Sequence, residues 1–241
     1  MNIRRLLLTK KRELVLYTKR FYPAGNYTWL VPEGCTEVDV FLVGGGGSSL
    51  GYNSSRGGGG GYTKTFKSST DGWRDGKAIS VTPGETINII VGKGGTRESG
   101  GYSQFMKASY RASGGKDGGN GSGNGGSGGG FRSDGGSDGG SPRYGYGGTG
   151  QGHTTRDFGE SSGKRNAGGG CIYQYNSSYK PGESDYTEGA GLGYGSNIGG
   201  GNIGGGGGGY GGGGSGYDLQ PNISFAGGDG TVLIRYYAYK Q

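Results

Sequence analysis

The chain has one histidine, His153, and two cysteines, Cys35 and Cys171, so acid–base or nucleophilic chemistry has few residues to run on. A Ser-His-Asp triad would have to pass through His153, and no Gly-x-Ser-x-Gly elbow with strand and helix flanks surrounds it. Asp134-Gly135-Gly136-Ser137-Asp138-Gly139 resembles a metal loop superficially. Neither calcium-loop carboxylate spacing nor zinc-type Cys/His spacing accompanies it, so its residues read as turn chemistry. The glycine runs lack the closing Gly-Lys-Ser/Thr and following helix of a phosphate loop. Arg56 is the only arginine followed by glycine, whereas Arg-Gly-Gly RNA binders depend on repeats. The expectation is a protein that is not an enzyme, with no cofactor and no resident metal.

Residues that could bind are more numerous. Residues 141–188 carry Tyr144, Tyr146, Tyr173, Tyr175, Tyr179 and Tyr186 among Ser, Asn, Gln and Gly. This is the composition of a paratope, since tyrosine brings large contact area at low side-chain entropy and its ring stacks on sugars or apolar patches. Equally, the rings could cap the edges of glycine helices and hide them from water. A second cluster is basic: Arg4, Arg5, Lys10, Lys11, Arg12, Lys19 and Arg20 face only Glu13 within residues 1–20, which hold nearly all of the net charge of +7. A basic groove through the remaining chain is therefore excluded, and no nucleic-acid partner is expected. The apolar run Leu6–Leu8 is far shorter than the roughly 7–15 residues of a signal-peptide core. No stretch approaches the ~20 apolar residues of a membrane helix. Synthesis in the cytoplasm without export or a membrane span is the expectation. The cysteines are too few for a disulfide framework, and both a mutual bridge and free thiols stay open.

Strands must position these residues. Tyr27–Val31 leads through Pro32-Glu33-Gly34 into Thr36–Val43, where Val38, Val40 and Leu42 alternate with Glu37 and Asp39 as in a half-buried strand. Ile79–Val81 and Ile87–Val91 flank Thr82-Pro83-Gly84-Glu85, where Pro then Gly suits a type II turn, predicting a hairpin or tight β-arch. Thr231–Tyr237 is a last strand that needs the earlier ones as partners. The sequence thus predicts a β part over 22–91 and 229–241, a basic attachment segment over 1–21, and a glycine-rich excursion over 92–228.

Glycine, at 67 of 241 residues, ordinarily signals a flexible linker. The 19 Tyr, 7 Phe and 2 Trp argue that something packs. Gly disfavours helix by about 1 kcal/mol per residue relative to Ala, and the stretch from Gly114 to Gly140 breaks the phase of collagen. Polyproline II geometry survives: three residues per turn, with every backbone N–H and C=O pointing sideways to a neighbour. All-glycine chains can approach closely enough to bond one another, helped by Cα–H···O contacts. Gly204–Gly209 covers two turns with no side chain and suits the middle of such a bundle.

Thr28-Trp29-Leu30-Val31-Pro32-Glu33-Gly34, Val38–Gly47, Gly57–Gly61 with Tyr62, Val81–Ile87, Val91-Gly92-Lys93-Gly94-Gly95 and the ending Gly227–Tyr236 occur in an order that resembles the glycine-rich domain of phage tail-fibre proteins, over about residues 22–237. The resemblance implies a β-sandwich carrying packed polyglycine II helices, used at fibre tips to bind a host receptor. Related domains occur in extracellular parts of animal receptor kinases and in bacterial surface proteins, so fold outruns function. The segment 1–21 has no counterpart in that pattern.

The expected fold is mostly β with little or no α-helix, a small sheet or sandwich joined to a polyglycine II bundle. The expected function is a virion module of a tail fibre or tail tip that binds a host-surface glycan or outer-membrane protein through its tyrosines. Its N-terminal basic residues would hold it to other virion proteins, with homo-oligomers allowed. A purely structural virion protein and a secreted glycine-rich adhesion or signalling module are the alternatives.

Overall fold

Alternating apolar residues build two antiparallel sheets that close on a shared core. The computed structural model describes residues 12–48, 58–71, 74–117, 158, 167, 172–173, 209–210 and 226–240. Along the chain the strands are β1 (Leu14–Phe21), β2 (Gly25–Leu30), β3 (Glu37–Val43), β4 (Thr63–Phe66), β5 (Ile79–Ser80), β6 (Thr86–Val91), β7 (Ser103–Phe105), β8 (Arg111–Ala112), β9 (Ile172–Tyr173), β10 (Gly209–Tyr210) and β11 (Thr231–Tyr239). The first sheet runs β1-β11-β3-β4, with β5 also on β3, and the second runs β2-β6-β7-β8. No α-helix occurs among the described residues. The fold is the mostly-β one that the sequence predicts.

The core lies between the sheets. Val38, Val40 and Leu42 of β3 and Val232 and Ile234 of β11 meet Trp29, Ile87, Ile89, Val91 and Phe105 of the second sheet. Trp29 sits 4.9 Å from the Tyr236 ring and 6.1 Å from the Phe105 ring, centroid to centroid, so one indole ties both sheets together. Cys35 is a fully buried free thiol at the edge of this core; Cys171 lies outside the described residues.

The 79–91 stretch is an arch rather than a hairpin, because β5 joins β3 in the first sheet and β6 joins β2 in the second. Its turn is of the expected type: the Glu85 amide donates to the Thr82 carbonyl at 3.0 Å, and Gly84 takes φ of +84°.

Two boundaries differ from the sequence prediction. The sheet takes in residues 14–21, predicted as a detached attachment segment, because β1 pairs along its whole length with β11, from Leu14 opposite Tyr239 to Phe21 opposite Val232. Lys19 and Arg20 disguise a period-two pattern in which Phe21 is buried and Val15 and Tyr17 are half-buried. Within residues 92–117, predicted as part of the glycine-rich excursion, β7 and β8 complete the second sheet.

Above the sandwich the glycines form a bundle. Gly44 donates its amide to Tyr62, Gly45 to Gly101, Gly46 to Gly228, Gly47 to Gly59 and Ser48 to Glu98, at 2.8–3.1 Å. The direction returns to the 58–62 stretch after three residues, from Gly44 to Gly47, and to the 98–101 stretch after three, from Gly45 to Ser48, the signature of a helix with three residues per turn. The same interval recurs where Gly59 and Tyr62 donate to Lys116 and Ser113, and where Gly227 and Gly230 donate to Gly95 and Gly92. Gly95 and Gly115 donate back to Gly46 and Gly45. The stretch 44–48 is therefore the axis, bonded to each of 58–62, 92–95, 98–101, 113–117 and 226–230. Packing is backbone on backbone: a Cβ on Gly44 would lie 2.6 Å from the Ser113 carbonyl carbon, and one on Gly45 2.6 Å from that of Lys93. Gly204–Gly208, the run the sequence favours for the bundle, lies outside the described residues. Gly209 pairs in parallel with Ile172.

Candidate binding surface

Strand direction decides where the variable parts of the chain emerge. β3 runs into 44–48 and 58–62 runs back into β4; β6 and β7 flank 92–95 and 98–101; β8 and β11 flank 113–117 and 226–230. Each pair goes up on one glycine stretch and returns on another. Consequently Ser48, Gly58, the turn at 96–98, Asp117 and Ala226 all stand at the end of the bundle remote from the sandwich. The start of β1 and the end of β11 stand at the opposite end, the base, where the Lys240 amide donates to the Glu13 carbonyl and the Tyr239 amide to that of Glu33.

Side chains lock the bundle to the sandwich. The Asp229 carboxylate accepts from the Ala24 amide at 3.1 Å and from the Gly94 amide at 2.9 Å, joining the β1–β2 turn to a glycine stretch. The buried Ser103 hydroxyl donates to the Val43 carbonyl at 2.6 Å and accepts from the Gly92 amide at 2.9 Å. The Thr231 hydroxyl donates to the Phe21 carbonyl at 2.9 Å. Every such bond satisfies a backbone group where strand pairing hands over to the lattice. At the remote end, the Ser48 hydroxyl donates to the Glu98 carbonyl at 3.0 Å and the Ser99 hydroxyl to Asp117 Oδ2 at 3.1 Å.

The long excursion between Asp117 and Ala226 returns to touch the sandwich. Phe158 and Ala167 are buried on the outer face of the first sheet against Phe41, Val43 and Leu233. The Phe158 ring lies 5.8 Å from Phe41 and carries the Arg235 guanidinium over it. Arg235 in turn donates to Asp39 Oδ2 at 2.7 Å, and the Ser68 amide occupies Asp39 Oδ1. These two anchor points lie inside the tyrosine-rich stretch 141–188.

Of the tyrosines expected to bind, Tyr173 is in β9, where its backbone is opposite Tyr210; Tyr144, Tyr146, Tyr175, Tyr179 and Tyr186 lie outside the described residues. So do His153, Asp134, Asp138, and the basic residues Arg4, Arg5, Lys10 and Lys11. The other expected attachment residues gather at β1. Arg12 pairs with Glu33 and lies over the Tyr239 ring, Lys19 lies 5.2 Å from the Phe21 ring centroid, and Arg20 is half-buried in the strand. What the residue types do not announce is the contribution of Asp229, Ser103 and Gly44–Gly47; the Gly-Gly-Asp-Gly-Thr sequence before β11 was the available signal.

Burial pushes the Cys35 thiol and the Tyr236 phenol above their ordinary pKa values. Both lie in the core. Among the described residues no group of His, Cys, Asp and Glu converges as a metal site, and no helix is long and apolar enough to cross a membrane.

The family model of the glycine-rich domain matches residues 22–237. The chain belongs to the glycine-rich domain family. No curated protein matches it. The family match covers the second sheet, β3, β4, β5 and most of β11 in the first, and every lattice stretch, and begins after β1.

Proposed function

We propose that the chain is a non-catalytic recognition module of a phage tail fibre or tail tip, held to the particle by its base and binding a host-surface glycan or outer-membrane protein through the excursion between Asp117 and Ala226. The observation that carries this reading is the polarity of the domain. The start of β1 and the end of β11 lie at one end, and the residues from which the connections 49–57 and 118–225 depart lie at the other. A backbone lattice suits a display scaffold, because its hydrogen bonds do not depend on the side chains of the connections it carries. The resemblance to tail-fibre domains supports the same reading.

The test is the triple substitution Tyr173→Ser, Tyr175→Ser and Tyr179→Ser. If the rings anchor a receptor, each contributes about 1–2 kcal/mol or more, and their loss lowers affinity at least about a hundredfold. Adsorption to host cells should fail while the melting temperature and particle incorporation are unchanged. A loss of stability first would mean that the rings cap the glycine scaffold. Normal adsorption at full stability would refute both roles.

A further inference from the structure

Among the described residues, the outer face of the first sheet is covered at one end and half exposed at the other. Nearest the bundle, Phe41, Val43 and Leu233 lie beneath Phe158 and Ala167. Toward the base the same face presents Leu14 and Leu16 of β1 and Tyr237 of β11, which are 49%, 50% and 58% exposed. Register makes them neighbours: Leu16 is opposite Tyr237, and Leu14 is opposite Tyr239. Large apolar side chains grouped on one face of a folded protein mark a contact surface. The strand that carries them is also an edge, since among the described residues β1 pairs only with β11. An edge strand offers a row of backbone donors and acceptors to another extended chain.

We infer that β1 docks an extended acidic–apolar segment of a partner protein by strand addition, its apolar residues covering Leu14, Leu16 and Tyr237. The charge selects that occupant. Arg12, Lys19 and Arg20 lie on or beside the strand against Glu13 and Glu33, the latter paired with Arg12, and Arg4, Arg5, Lys10 and Lys11 precede it in sequence. A second copy of β1 would set these cations against one another, and like charges across paired strands are destabilising. A lipid surface would leave the edge backbone groups without partners. Strand addition deepens the attachment reading above, on which it rests for the identity of the partner as a particle protein, since β1 starts at the base by which that reading holds the domain.

The experiment uses the full chain and two synthetic ten-residue peptides, one alternating Val with Glu and the other alternating Val with Lys. Binding is followed by hydrogen exchange of residues 14–20 and by titration. The Glu peptide should bind and slow exchange along β1, and the Lys peptide should bind at least about tenfold more weakly. Leu14→Glu with Leu16→Glu should abolish binding without lowering the melting temperature, because both side chains are half exposed; should it unfold, Leu14→Thr with Leu16→Thr supplies the same comparison. Equal binding of both peptides, unchanged binding by the variant, self-association that protects β1 without peptide, or partition onto anionic lipid vesicles would each overturn the inference. Particle incorporation is scored in parallel. Incorporation that survives the double substitution overturns strand addition alone, whereas failure of the wild-type chain to incorporate overturns the attachment reading and leaves the peptide result standing on its own.

Discussion

Replacing Gly44 by alanine separates a packed lattice from a flexible linker by the sign of its effect. Gly44 does not have a left-handed φ, so in an unpacked chain alanine would restrict only the unfolded state and stabilise by about 0.4–1 kcal/mol. In the lattice the new Cβ falls 2.6 Å from the Ser113 carbonyl carbon, and closer still to its oxygen. Relief requires the 113–117 stretch to move. That stretch accepts from Tyr62 and Gly59, and its Gly115 donates to Gly45 and accepts from Gly100. Loss of two or three such bonds, each worth about 1 kcal/mol net and more if its partner stays buried and unpaired, gives a cost on the order of 3–5 kcal/mol. For a domain of this size that is a fall in melting temperature of about 10 °C. Urea unfolding with an unchanged slope is the assay of choice. Gly84→Ala is the control, because nothing lies within 4 Å of its Cβ position and only the φ of +84° opposes it; it should cost about 1–2 kcal/mol. A Gly44→Ala protein as stable as the wild type, or more so, would refute the lattice argument.

Other expected outcomes are as follows. Asp229→Ala strands the Ala24 and Gly94 amides and should cost about 2–4 kcal/mol, with Asp229→Asn losing less because one oxygen still accepts; chemical denaturation of both variants checks it. Cys35 and Tyr236 have folded pKa values raised by burial, so their contribution to stability is fully present below the unfolded values and is lost as pH rises through the folded ones. Unfolding monitored from pH 8 to 11 should show stability declining above about pH 9, and Cys35→Ala should shift the onset of the decline toward the tyrosine range. In the folded state at neutral pH the Cys35 thiol should resist alkylation until denaturant is added, as burial and a raised pKa both disfavour the thiolate.

The strands that sequence revealed most clearly are those where alternation is unbroken, as in β3 with Val38, Val40 and Leu42, and where Pro83-Gly84 marks the turn. β1 was obscured because Lys19 and Arg20 interrupt its apolar character, and because Leu14 and Leu16 face outward, where no core selects them. β7 and β8 are too short for periodicity, at three and two residues, and exist through their neighbours. The lattice was legible as a type of packing. Gly204–Gly208, in the longest uninterrupted run, lies outside the described residues, and among those described the axis is Gly44–Ser48, because β3 delivers that stretch into the centre. A glycine helix has no side-chain pattern of its own, so its position is set by the strands at either end. The base was legible only as a charge cluster, since Leu14, Leu16 and Tyr237 become neighbours through pairing across more than 200 residues of sequence.

The account stands or falls on the lattice, and amide hydrogen exchange of Gly44, Gly45, Gly46, Gly47 and Ser48 tests it most directly. Every one of these amides donates to a different or alternating neighbouring stretch. All of them should therefore exchange as slowly as Val40 and Ile234 in the core strands, opening only with global unfolding. Protection confined to the strands, with these glycines exchanging at the rates of an unfolded chain, would contradict it.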